Sequence, residues 1–446
     1  MTGDQLTSRQ VHDHHGSTQA GPDRLARQDP ATRDLASGDD AATDARPGGG
    51  GGTSVADRVR RRAARSFLPE VQALRMWAVG FVVAFHLWPS RFPGGFTGVD
   101  AFFVISGYLI TSHLVREVER TGTVRLGTFY ARRARRLLPA SMTILLVSIA
   151  GAFALLPDAL RVMTGREALA STFYVQNLWL AKVVLGPPPP MSFEAPVQHY
   201  WSLSTEEQFY LLWPPLILLA LWLARRTKGP AARPVQAAGT MLAVVTALSF
   251  VLSVWYTATH PANTYFMTFT RAWEFAAGGL LPMVLRRWAP STSLSLVLRY
   301  VGMAMIIASA FVLSQGDPFP GYLALLPVLG TAAVIMAGDC DGRDPLDLAY
   351  TNPISQWLGN ISYSIYLWHW PLIVLVPFAL HRDLDNPLRL AVAALTVALA
   401  HVWWTWVEDA TRFLPGVRQS TSRSLLLALG SMVVVGAAAL ALALSG

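Results

Sequence analysis

Arg75 and His86 stand inside one otherwise apolar run of membrane-helix length, with ten residues between them. An ionisable side chain at membrane depth is costly, so His86 is a functional hypothesis by default. An imidazole titrates near neutrality and suits a general base that takes a proton from a hydroxyl. An imidazole that only hydrogen-bonds within a helix bundle explains the same residue, and on this run alone both readings stand. Glu206 and Glu207 follow Ser202 and Ser204 in "SLSTEEQ". That pattern is a good helix start, with acids at the positive end of the dipole; the sharper reading is a carboxylate, Glu206 before Glu207, that orients His86. Arg271 and Glu274 are three apart on one helical face, the spacing of a structural ion pair. His369, between Trp368 and Trp370, is a packing residue, an acceptor ligand or the base itself, ranked below His86. Asp100 and Ser106 share the next apolar run and are expected to line the same cavity, with Gly98 and Gly107 allowing close helix approach. A Ser in a GxSxG turn and a reactive Cys are both lacking, so direct transfer is favoured over a covalent intermediate. Neither carboxylate nor His spacing indicates a metal. The single Cys340 excludes an intramolecular disulfide and any thiolate metal cluster, and reads as a passive loop or helix-end residue.

The elements that must hold these residues are membrane helices. Of 446 residues, 52% are hydrophobic and 14% charged, against roughly 25% charged in soluble domains. The net charge of +8 could point to nucleic acid, but the basic residues cluster beside apolar runs, as cytoplasmic loops do. Nucleic acid is therefore not an expected partner; the lipid bilayer is. Residues 1–66 are polar and Gly-rich and read as a disordered cytoplasmic tail. The membrane domain is set at 67–410, and 411–446 supply an inside loop and a last helix. Helices are expected at about 71–90, 96–115, 137–157, 205–224, 237–257, 268–285, 297–315, 320–338, 357–380, 388–407 and 424–444. A basic loop at 116–136 lies inside, and a long external segment at 158–204 is expected to hold one or two short helices. The fold class is thus all-α, a polytopic bundle of about 10–11 transmembrane helices, with the N-terminus cytoplasmic and the C-terminus outside.

Six fragments in this order carry a resemblance: Arg75-X10-His86, "GVDAFFVISGYLI" (98–110), "FYARRARRLLPA" (129–140), "HYWSLSTEEQFYLLWP" (199–214), "RAWEFAAGG" (271–279) and "ISYSIYLWHWPL" (361–372). Together they resemble the membrane-bound acyltransferase 3 family, over roughly residues 70–410. Members of that family O-acylate sugars, polysaccharides and some antibiotics. The resemblance implies an O-acyltransferase that moves an acetyl or short acyl group from acyl-CoA to a carbohydrate-like hydroxyl, with the histidine of Arg-X10-His, here His86, as catalytic. Glu206, Phe209 and Pro214 match its Glu-X2-Phe-X4-Pro pattern, and Arg133 and Arg136 its Arg-X2-Arg motif. Arg is the natural bidentate ligand of a donor phosphate, so Arg75, Arg133 and Arg136 are assigned to the donor, although positive-inside topology also explains the two in the cluster. Some members carry a soluble hydrolase-like domain after an eleventh helix; here the chain ends at Gly446, so that domain is expected to be absent. Tyr174, Trp179, Tyr200 and Trp201 suit either sugar stacking or an interfacial belt. The rival class is a carrier or exporter without transfer chemistry, because polar residues at mid-membrane also mark transport paths.

Overall fold

Apolar runs in lipid must satisfy their own backbone hydrogen bonds, and helices do so within one segment. The computed structural model describes residues 68–186, 193–229, 233–338, 344–412 and 420–445, and among them there is no strand. The tail expected at 1–66 and Cys340 fall outside the described residues. The long helices are α1 (Pro69–Leu87), α2 (Gly98–Thr121) and α3 (Leu126–Leu155). Two short helices, α4 (Asp158–Thr172) and α5 (Gln176–Val183), occupy the expected external segment. Then come α6 (Tyr200–Lys228), α7 (Pro234–Thr259), α8 (Thr268–Leu285), α9 (Thr292–Val312) and α10 (Leu325–Ala337). After them the chain forms α11 (Pro345–Thr351), α12 (Pro353–Asn360), α13 (Ser362–Leu380), α14 (Asn386–Trp403) and α15 (Thr421–Ala443). Ten of the eleven expected spans correspond to one helix each, and the eleventh, 357–380, to two, of which α13 makes up most. Eight of them are long and apolar enough to cross a membrane: α2, α3, α6, α7, α9, α13, α14 and α15. Of the others, α10 has only 13 residues, and α1 and α8 are the helices that carry Arg75 with His86 and Arg271 with Glu274.

Three expectations about boundaries change. The basic stretch 116–136 is not a loop: α2 stops at Gly122, whose φ of 71° closes the helix on Val118, and α3 restarts at Leu126. Arg132, Arg133, Arg135 and Arg136 therefore lie inside α3, where Ala, Arg and Leu favour helix. The span expected at 357–380 is two helices, α12 and α13, divided at Ile361. Finally, α6 begins at Tyr200 and not at 205, which places Glu206 and Glu207 in its second and third turns. The helix-start reading of "STEEQ" falls with that boundary, since the orphan N–H groups belong to Tyr200 and the residues just after it.

Lipid tails are as apolar as Leu, so helix association in a membrane rests on close packing. At the crossing of α2 and α8, a Cβ on Gly107 would strike the Phe275 carbonyl and one on Gly278 the Val104 carbonyl. The two backbones therefore touch. Around this contact the rings of Phe103 and Phe209 lie on either side of Phe275, with centroids 4.3 Å and 4.4 Å from it. That stack joins α2, α6 and α8, the helices that hold Asp100, Ser106, Glu206, Arg271 and Glu274.

Candidate active site

Arg75 and His86 share the uninterrupted helix α1. Eleven residues at 3.6 per turn return to within about 20° of the same face, about 16 Å further along the axis. Arg75 is buried and donates from Nη1 to Gln72 Oε1 at 2.9 Å. At the other end, His86 Nδ1 lies 3.2 Å from Nε2 of His369 in α13. The two rings are stacked with centroids 5.2 Å apart, and Trp370 covers His86 at 4.6 Å. His369 is fully buried, and its Nδ1 sits 2.6 Å from the Tyr366 carbonyl oxygen. A third histidine joins them: His199, just before α6, is buried with its ring edge-on to His369 at 5.4 Å.

Glu206 is not hydrogen-bonded to His86. Its Oε1 accepts hydrogen bonds from the Ser106 and Tyr210 hydroxyls, while the imidazole partner of His86 is His369. Tyr210 is one helical turn from Glu206, so the pair is local to α6. The Arg133 guanidinium lies over the Tyr210 ring, 3.5 Å from its centroid, and among the described residues its buried Nε has no hydrogen-bond partner. Ser106, Glu206, Tyr210 and Arg133 thus form one cluster drawn from α2, α6 and α3. Glu207 beside it and Arg136 one turn beyond Arg133 are half-buried.

Asp100, Arg271 and Glu274 form a separate, fully buried triad. Arg271 Nη1 donates to Asp100 Oδ1 at 2.7 Å and to Glu274 Oε1 at 2.8 Å. The ion pair expected between Arg271 and Glu274 is present, and Asp100 completes it. Tyr265 and Phe319 face the guanidinium at 5.0 Å and 5.2 Å. Burying such a group without its charge partners would cost several kcal/mol, which explains why two carboxylates converge on it.

The segment 158–204 is fastened to α3, α6 and α8 by polar contacts. Gln208 donates to the Tyr174 carbonyl and to Asn177 Oδ1, each at 2.9 Å, and accepts from Thr268. Tyr174 and Tyr200 both bond Ser141 of α3, through its hydroxyl at 2.9 Å and its carbonyl at 2.8 Å. Gln176 donates to Glu167 at 2.7 Å; burial pushes that carboxyl up to about 7, and the Gln176 bond offsets only part of the rise. Along the C-terminal half of α13, a cavity of about 450 Å³ is lined by Phe193, Glu194, Trp370, Ile373 and Phe378 among others. Burial likewise raises the Glu194 carboxyl. Among the described residues no cluster of His, Cys, Asp or Glu has the arrangement of a metal site.

Sequence reasoning assigned no role to His199, Tyr210 or Tyr366. His199 opens a fragment already singled out, and Tyr210 lies four residues after Glu206, a spacing that would have shown the pair once α6 was extended back to Tyr200.

The comparisons with known proteins agree on a family. A family described as an acyltransferase domain matches residues 68–407. The chain is 33% identical over 368 residues to the peptidoglycan O-acetyltransferase OatA of Listeria monocytogenes, covering 79% of this chain and 57% of that protein. It is 30% identical over 359 residues to a putative peptidoglycan O-acetyltransferase of Bacillus subtilis, with coverage of 78% and 55%. With the O-acetyltransferase OatA of Staphylococcus aureus it shares 28% over 391 residues, covering 83% and 63%. The chain thus spans under two thirds of the length of each of these relatives. No solved structure matches it.

Proposed function

Because the chain belongs to this acyltransferase family, we propose that it transfers an acetyl or short acyl group to a hydroxyl of a carbohydrate-like acceptor. The names of its relatives make a peptidoglycan glycan the first acceptor to test. The single observation that carries the chemistry is the pairing of His86 with His369 at one end of a helix whose same face bears Arg75. A histidine beside a buried hydrogen-bonded partner is the constellation of a general base.

The donor we propose is acyl-CoA. Arg75, Arg133 and Arg136 would hold its phosphates, and the thioester would reach His86 about 16 Å along α1, a distance comparable to an extended pantetheine arm. In the transfer step His86 takes the hydroxyl proton while the acceptor oxygen attacks the thioester carbonyl. The tetrahedral intermediate then expels the thiolate, which recovers the proton from the imidazolium, so the ester and free CoA are the only products. The route is transmembrane: the N-terminus and the donor lie on the cytoplasmic side, and the C-terminus and the acceptor outside.

The test is transfer of label from acyl-CoA to a peptidoglycan fragment by the purified chain in liposomes. Labelled ester that depends on protein is expected. Passage of glycan across the bilayer without any ester formed would overturn the reading in favour of a carrier.

A further inference from the structure

The hydrogen bonds of His369 determine which nitrogen of His86 is free. Its Nδ1 is 2.6 Å from the carbonyl oxygen of Tyr366. A carbonyl oxygen only accepts, so this nitrogen carries the proton. A neutral ring protonated there has a lone pair at Nε2, and Nε2 is the atom 3.2 Å from His86 Nδ1. Two lone pairs do not bond, so His86 Nδ1 must hold a proton and donate it. The lone pair of neutral His86 is then at Nε2.

We propose that His369 is a positioning residue that holds His86 in its Nδ1-protonated tautomer, so that Nε2 is the atom that takes the acceptor's proton. The use of that lone pair rests on the acyl-transfer reading; the tautomer does not.

The surroundings hold His369 in this role. The Tyr366 hydroxyl donates to the His199 carbonyl at 2.9 Å and lies 2.6 Å from Ser202 Oγ. Trp370 Nε1 donates to the Ala195 carbonyl at 2.8 Å. This turn of α13 is therefore bound on both sides of His369 to the segment that leads into α6. The buried His199 ring meets His369 edge-on and makes no hydrogen bond to it, so it does not compete for Nε2. A doubly protonated His369 would be a buried cation, which is costly without a paired anion. When His86 takes the hydroxyl proton at Nε2, its Nδ1–H bond to His369 becomes charge-assisted and so strengthens as the imidazolium forms. The proton moves from the acceptor oxygen to Nε2 and on to the departing thiolate, and His369 neither gains nor loses one.

Two measurements on the full chain in liposomes test this. Solid-state ¹⁵N spectra of histidine-labelled protein should show a neutral His86 with a protonated Nδ1 and a bare Nε2, assigned by its loss in His86→Ala. A neutral His86 protonated at Nε2 would overturn the proposal, and no substitution at 369 is needed to see it. In kinetics, His369→Gln supplies an amide oxygen close to the former Nε2 and should keep kcat within about tenfold. His369→Leu offers no acceptor and should lose about 10²-fold more in kcat with acceptor KM unchanged; leaving a catalytic imidazole in the wrong tautomer has cost about 10⁴-fold in a serine protease. Equal kcat in the Gln and Leu variants, or losses confined to KM, would reduce His369 to packing. If His86→Ala itself keeps full turnover, the base assignment fails, and the spectrum still decides the pairing.

Discussion

His86→Ala should lower transfer by about 10²–10⁴-fold while the protein still inserts, because that is the usual cost of losing a general base. Turnover of labelled acyl-CoA in liposomes measures it, and near-normal rates would move the role elsewhere. The arginines divide differently. Arg133 lies on the Tyr210 ring beside the Glu206 carboxylate, whereas Arg136 is half-buried one turn away. Arg136→Ala is therefore expected to raise the KM for acyl-CoA at little cost in kcat, and Arg133→Ala to change both. Arg136→Lys keeps the charge but not the bidentate fork. If the Lys variant has wild-type donor KM, phosphate recognition at Arg136 is excluded. The candidate residues were legible at this scale because a polar group in an apolar run stands out. Their pairings were not: Glu206 was set against His86, and the fold gave each a different partner.

At the scale of elements, the crossing of α2 and α8 depends on glycine. Gly107→Ala would drive a methyl group into the Phe275 backbone and push apart the helices that carry Asp100 and Arg271. Overpacking of this kind costs about 1–3 kcal/mol, read as a lower melting temperature in detergent. Gly80, in the middle of α1, has nothing within 4 Å of the added Cβ. Gly80→Ala should be neutral, or stabilising by up to about 1 kcal/mol from helix propensity. Glu167 makes a second prediction in α4. Its carboxyl titrates at about 7 in the fold and near 4.5 in the open chain. Between those values the folded state binds more protons than the unfolded one, so stability is greatest below 4.5 and falls as pH rises through 7. The span of the shift, 4.5 to about 7, sets an upper bound of roughly 3 kcal/mol on this loss. Glu167→Gln keeps an acceptor for Gln176 and removes the titration, so it should raise the melting temperature at pH 8 and leave it unchanged at pH 4. An unaltered pH dependence in the variant would assign the effect to other groups.

For the whole molecule, the transmembrane route predicts sidedness. In inside-out vesicles acyl-CoA added to the bath should be used, and in right-side-out vesicles it should not. A soluble acceptor should behave in the opposite way. Acylation of an impermeant acceptor supplied on the cytoplasmic face would defeat the route and leave the acyltransferase assignment standing. Arg75 and His86 anchor this prediction, because one rigid helix fixes their separation at about 16 Å whatever the rest of the bundle does.

Composition and hydropathy by themselves determined that the chain is a polytopic helical membrane protein, because lipid leaves an apolar run of about 20 residues few other solutions. The order of the polar fragments determined the family, and the match over residues 68–407 bears it out. The helix end expected before the basic stretch 116–136 lies further on, since Arg, Ala and Leu continue a helix as readily as they form a loop. Only the tertiary structure decided that His86 meets His369, 283 residues away, and that Glu206 turns to Ser106 and Tyr210. Periodicity states which face of a helix is polar. Which partner that face meets depends on helix order and crossing; at the α2–α8 crossing the close approach of backbones at Gly107 and Gly278 sets the contact.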